Sequence, residues 1–123
     1  MSRIMLIAGV AAALAGPAAA HHSGAMFDRS RTVTLEGTVK AYQYTNPHCW
    51  IILMVPGADG KVEEWGVEGS PPPMMKKLGV TPSVVTPGAK VTVRAHPLKD
   101  GRPGGSFVDI TFADGRTIVQ KGG

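Results

Sequence analysis

Apolar and polar positions along this chain fall into short alternating runs, the pattern of β-strands with one buried face. From Thr32 to Tyr44, the apolar Val33, Leu35, Val39 and Ala41 alternate with Thr32, Thr34, Glu36, Thr38 and Lys40, and Gly37 interrupts the series. This predicts one long strand with a bend or bulge at the glycine. Thr45, Asn46 and Pro47 make a turn, and His48 to Val55 is apolar on both faces, as a central strand would be. Pro56 to Gly60 reads as a hairpin loop, from which Val62 to Glu68 returns with Trp65 and Val67 on one face.

The period then changes. Pro71 to Pro73 precede Met74, Met75, Lys76, Lys77 and Leu78, and Gly79 follows, so proline and glycine frame one or two helical turns. Thr86, Pro87 and Gly88 turn the chain into a fourth strand, Lys90 to His96. Its Val91, Val93 and Ala95 face inward, and its Thr92, Arg94 and His96 face outward. Pro97 to Gly105 is a glycine-rich loop whose Lys99 to Gly105 part reads as a mobile lip. Val108, Ile110 and Phe112 mark a fifth strand, and Thr117 to Gln120 a short last one after the turn at Ala113 to Arg116.

Three strands, a short helix and two more strands is the element order of the OB-type barrel, whose loops after strands one and four border its usual binding face. The predicted fold class is therefore all-β with one short helix, a five- to six-stranded OB-like barrel. It forms a single domain over residues 32–120, preceded by a polar arm over 21–31. His48 follows the first of those loops and His96 precedes the second, so the two histidines are expected to approach each other at one end of the barrel.

The amino terminus adds an expectation about location. Met1 to Arg3 is a short basic start, Ile4 to Leu14 is apolar, and Gly16 and Pro17 lead to an A-x-A site at Ala18 to Ala20. This predicts a signal peptide over residues 1–20, cut between Ala20 and His21, and a periplasmic or secreted product. The apolar run is shorter than the roughly 20 residues that cross a bilayer, and no later segment is long and apolar enough either. Removing 20 of the 123 residues leaves 103, enough for one small domain and one core. The formal net charge of +4 falls by one with Arg3, and Lys76 and Lys77 are the only adjacent basic pair. So mild and scattered a charge argues against nucleic acid as a partner. Cys49 is the only cysteine, so no internal disulfide forms. It is expected to point away from His48 as a small buried apolar group.

Cleavage at Ala20 would place His21 at the new terminus, followed by His22. A terminal histidine offers an amine, with a reference pKa of about 7.7 to 8, and an imidazole on one residue. That pair chelates transition ions, above all Cu(II), as in a histidine brace once another imidazole joins. His48 and His96 are the remaining histidines, so the candidate metal site is His21, His22, His48 and His96, with copper ahead of zinc. The plainer reading of His21 and His22 is a solvated tail. Met26, Met54, Met74 and Met75 are soft donors for Cu(I), but their places predict core filling or exposure.

A metal-free alternative uses the same end of the barrel. Trp50, two residues beyond His48, would join Tyr42, Tyr44, Asn46 and Arg94 in a face for a saccharide, a peptide or an envelope protein partner. A third alternative is an accessory subunit of an envelope enzyme. Hydrolytic chemistry finds little support: Asp28, Glu63, Glu64 and Glu68 give no obvious carboxylate pair, serine stands near histidine only at His22 and Ser23, and no G-x-S-x-G, H-E-x-x-H or P-loop occurs. No catalytic residue is assigned. Copper redox chemistry, which needs few protein groups, stays open.

The segments HHSGAMFD, VTLEGTV, TNPHCW, PGAKVTVRAHPLKDGRPGG and ADGR together resemble a family of small exported bacterial proteins, domain of unknown function family 6152. The resemblance spans essentially the whole chain after residue 20. It matches His21, His22, Ser23, Phe27, Asp28, Asn46, Pro47, His48, Trp50, His96 and Pro97 to the family pattern, and implies a single exported β-barrel domain. Cys49 stands in the family's N-P-H-x-W motif where an aliphatic or small residue is expected, which argues against a general role for this thiol.

Overall fold

The computed structural model describes residues 23–121. The chain runs through β1 (Val33–Gln43), β2 (Trp50–Pro56), β3 (Val62–Glu68), α1 (Pro72–Leu78), β4 (Lys90–Pro97), β5 (Gly104–Phe112) and β6 (Thr117–Val119). The strands form one sheet in the order β3-β2-β1-β4-β5-β6, and a parallel pairing of β3 with β5 closes the first five into a barrel. β6 is an extra strand outside the closure. The expected OB-like barrel with one short helix is therefore the fold.

The barrel closes because β1 serves two neighbours. Its first half, Val33 to Thr38, pairs with β4, and its second half, Thr38 to Gln43, pairs with β2. The changeover falls beside Gly37, where a Cβ would lie 2.4 Å from the Met54 carbonyl oxygen, so only glycine allows the two backbones to approach there. The ladder shift itself comes slightly later, between Val39 and Ala41. Glycine thus marks the bend, and the bulge follows it.

Alternation supplies the core. Leu35, Val39, Ile51, Leu53, Val67, Val91, Val93 and Ala95 are buried, and Met75, Val80 and Val85 from the helix segment close one end over them. Each fully buried aliphatic side chain contributes roughly 1.5–3 kcal/mol relative to exposure. α1 ends as its sequence predicts: Gly79 takes φ 89°, and the Gly79 and Val80 N–H groups donate to the Lys76 and Met75 carbonyls.

Two elements differ from expectation. The ladder between β4 and β5 slips after Arg94, which faces Asp109, whereas Ala95 faces Phe107. Val108 is the extra residue of this bulge, so Phe107 and Ile110 enter the core and Val108 and Phe112 are only half-buried. The arm also has structure: a 3-10 turn at Ser23–Met26 leads to a bridge between Phe27 and Leu98, and Phe27 is buried. The expected lip is a hydrogen-bonded turn, with the Leu98 N–H donating to the Gly104 carbonyl and Asp100 accepting from Arg102.

Candidate functional site

β2 starts later than the apolar run suggested, at Trp50, but His48 and Cys49 are held as firmly as strand residues. The Cys49 N–H donates to the Ser70 carbonyl at 3.1 Å, and the Gly69 N–H donates back to the Cys49 carbonyl at 2.8 Å. This continues the β2–β3 ladder past the ends of both strands. The Asn46–Pro47 peptide preceding it is cis. The continued ladder sets His48 against the end of β3.

His48 Nδ1 lies 3.1 Å from the Gly69 carbonyl oxygen and 3.4 Å from Glu68 Oε1. A carbonyl oxygen can only accept, so Nδ1 carries the proton and, in the neutral ring, Nε2 carries the lone pair. The His48 side chain is 39% exposed and that of Glu68 only 10%. His96 repeats the arrangement, with Nδ1 2.8 Å from the Arg31 carbonyl oxygen. Both histidines are thus fixed in the tautomer that leaves Nε2 for another partner.

Strand register relates the two. Trp50 pairs with Glu68, Glu68 with Ser106, and Ser106 with His96, a single row across β2, β3, β5 and β4. At about 4.8 Å per strand, Glu68 and His96 are roughly 10 Å apart along that row. His48 and His96 therefore belong to one end of the barrel but not to one contact. Beside His48 is a pocket of about 170 Å³, lined by Gly24, Phe27, His48, Glu68, Ser106 and Gln120 among others. A larger groove of about 360 Å³, lined by Glu36, Thr38, Lys90, Thr92, Thr111 and Phe112, contains no histidine.

The other sequence-predicted residues are distributed differently. Trp50 is half-buried, with its ring within 3.8 Å of where a Cβ on Gly66 would stand. Tyr42 and Tyr44 are stacked edge to face at 5.7 Å, and their hydroxyls donate to the Val80 and Pro72 carbonyls at 2.9 and 2.7 Å. They tie β1 to the helix segment rather than forming a face with Trp50. Arg94 is bound to the buried Asp109 through Nε, at 3.1 and 2.9 Å, and through Nη2, and this carboxylate holds the guanidinium pKa above its ordinary value. Asn46 is exposed on its turn. Cys49 is fully buried, as expected, and burial raises the pKa of its thiol. Met75 is buried, Met54 half-buried, and Met26 and Met74 exposed. His21 and His22 lie outside the described residues.

The sequence shows Glu68 only as a carboxylate on the third strand without an obvious partner, and nothing local marks Ser106 or Gln120. Among the described residues, no group of three or more His, Cys, Asp or Glu converges on a point that could hold a metal ion. No helix among them is long and apolar enough to cross a membrane.

The sequence profile described as "Family of unknown function (DUF6152)" matches residues 9–107. No curated protein matches the chain. Among solved structures, the mitochondrial single-stranded DNA binding protein Rim1 of S. cerevisiae aligns with a TM-score of 0.50 at 14% identity, covering 70% of this chain and 97% of that one. A selenomethionine-labelled structure of the same protein aligns with a TM-score of 0.47 at 15% identity, covering 74% and 97%. At such identity the likeness is one of fold.

Proposed function

The chain belongs to the DUF6152 family, whose function is unknown, and from that premise we propose an exported OB-like barrel that binds a transition-metal ion, copper ahead of zinc. In this reading residues 1–20 are removed, the amine and imidazole of His21 chelate the ion, and His48 Nε2 adds a third nitrogen. His22 and His96 are the candidates for any further position. The role is binding, delivery or sensing of the metal in the periplasm or outside the cell.

The observation that carries the reading is the state of His48. Its Nδ1–H is spent on the Gly69 carbonyl, with the Glu68 carboxylate behind it. A metal-ligating imidazole is typically supported in this way, with its second nitrogen tied to a carbonyl or carboxylate. Gly24 lines the same pocket and is three residues after His21, an interval that about 10 Å of extended chain spans.

The test is a copper titration of the protein beginning at His21, read by calorimetry and electron paramagnetic resonance, beside the same protein with one extra amino-terminal glycine. One-to-one binding with nitrogen coupling, lost in the extended form and in His48→Ala, is expected. Equal weak binding in both forms overturns the copper reading. It would favour the metal-free module, which Trp50, half-buried beside Gly66, supports and which Trp50→Ala would disable.

A further inference from the structure

The larger groove shares no residue with the pocket beside His48. Strand alternation turns Glu36 and Thr38 of β1, Lys90 and Thr92 of β4, and Thr111 of β5 outward, while Leu35, Val39, Val91, Val93 and Ile110 beside them are buried. Register sets the five in two rows, Glu36 with Thr92 and Thr111, and Thr38 with Lys90. All five line the one groove of about 360 Å³, at the small end of the roughly 300–1,000 Å³ that ligand clefts occupy. Thr92 precedes His96 on β4 by about 13 Å of strand, so the groove is a separate place on the barrel.

The groove carries both signs of charge. Glu36 and Lys90 are exposed, and their register makes them diagonal neighbours, with Cα atoms about 8 Å apart. They occupy one diagonal of a four-residue block, and Thr38 and Thr92 occupy the other. Among the described residues neither charge is in an ion pair, whereas Lys40, Arg94, Arg102 and Arg116 each meet a carboxylate. A simple anion drawn to Lys90 would be repelled by Glu36, and a simple cation drawn to Glu36 by Lys90. A ligand bearing both charges is repelled by neither. One face of the Phe112 ring is taken by the Arg116 guanidinium, 5.4 Å from its centroid, so charge rather than aromatic stacking governs recognition here. We infer that this groove is a binding site for a zwitterion of the amino-acid type, with its ammonium on Glu36, its carboxylate on Lys90 and the threonine hydroxyls as further partners. A hydroxyl accepts from an ammonium and donates to a carboxylate, so threonine serves either end. Pro56 and Ala113 add apolar contact for the ligand's side chain. The inference needs neither a metal nor a cut at Ala20, so it stands or falls apart from the copper reading.

The experiment is a nuclear magnetic resonance titration of the full chain at neutral pH and low salt with L-leucine, L-leucinamide and N-acetyl-L-leucine, following the backbone amides of Thr38, Thr92 and Thr111. Leucine should give saturable shifts there while the His48 and Trp50 amides stay still. Each singly charged analogue should bind at least about fivefold more weakly, because it loses one charge-assisted hydrogen bond and keeps one repulsion. In Glu36→Gln leucine should bind no better than N-acetyl-leucine, and in Lys90→Gln no better than leucinamide, the coupling expected when each ligand charge meets one residue. Both residues are exposed, so these variants keep the barrel. No saturable shift with leucine, an equal response to all three compounds, or shifts centred on Trp50 would each overturn the inference.

Discussion

His96 and Arg31, 65 residues apart in sequence, are joined by a hydrogen bond from the imidazole Nδ1–H to the Arg31 carbonyl at 2.8 Å. It is one of several links along a seam. The Asp28 N–H donates to the Pro97 carbonyl at 2.8 Å, the Lys99 N–H donates to the Met26 carbonyl at 2.9 Å, and Phe27 between them is buried. The arm is thus laid along the end of β4, and this seam carries its first described residues to the rim of the pocket at Gly24.

Removing the ring at the centre of that seam should release the arm. Phe27→Ala is expected to cost about 3 kcal/mol, with amide hydrogen exchange accelerating at Asp28 and Lys99 while Leu35 and Val93 stay protected. Exchange rates unchanged at Asp28 and Lys99 would show that the seam does not depend on Phe27.

Gly37→Ala should strain the barrel at its changeover. The new Cβ would meet the Met54 carbonyl oxygen at 2.4 Å, a backbone atom that cannot swing away. A loss of about 2–3 kcal/mol in urea unfolding is expected. Gly24→Ala, whose nearest neighbour is the end of the Arg29 side chain at 3.8 Å, should change stability by less than about 0.5 kcal/mol.

Tyr42 makes stability fall at high pH. Burial first, and the neighbouring Cys49 second, push its phenol well above the ordinary value of 10.0. Between the unfolded and the folded pKa the native state binds more protons, so the stabilisation is complete below about pH 10 and declines as pH rises beyond it. Ultraviolet titration should show this phenol ionising only as the protein unfolds. Tyr42→Phe should flatten the alkaline decline, at a cost of about 1 kcal/mol from the lost bond to the Val80 carbonyl.

Cys49 should be inert in the folded protein. Its side chain is fully buried and burial raises the pKa of its thiol, so both access and thiolate are lacking. Iodoacetamide should label it at the rate of global unfolding, readable by mass spectrometry across a urea series. Fast labelling in native buffer would contradict this environment.

The sequence by itself determined the architecture, because that rests on local periodicity. The alternation in Val33 to Ala41 and Val91 to Ala95, the apolar run before Val55 and the proline-to-glycine frame of α1 each report a nearest-neighbour constraint. It also marked His48 and His96 as residues of one barrel end. What it could not determine was which partners they meet. Phe107 reaches the core through a bulge at Val108, and a one-residue slip reverses every facing side chain without any local signal. Tyr42 and Tyr44 look like binding aromatics until the helix segment, over 25 residues later, takes their hydroxyls. Glu68, Ser106 and Gln120 come from three separate strands or their ends, and only barrel closure through β3 and β5 brings them around one pocket with His48. The pairing of distant strands, which costs loop entropy and has no counterpart in local spacing, decided the site.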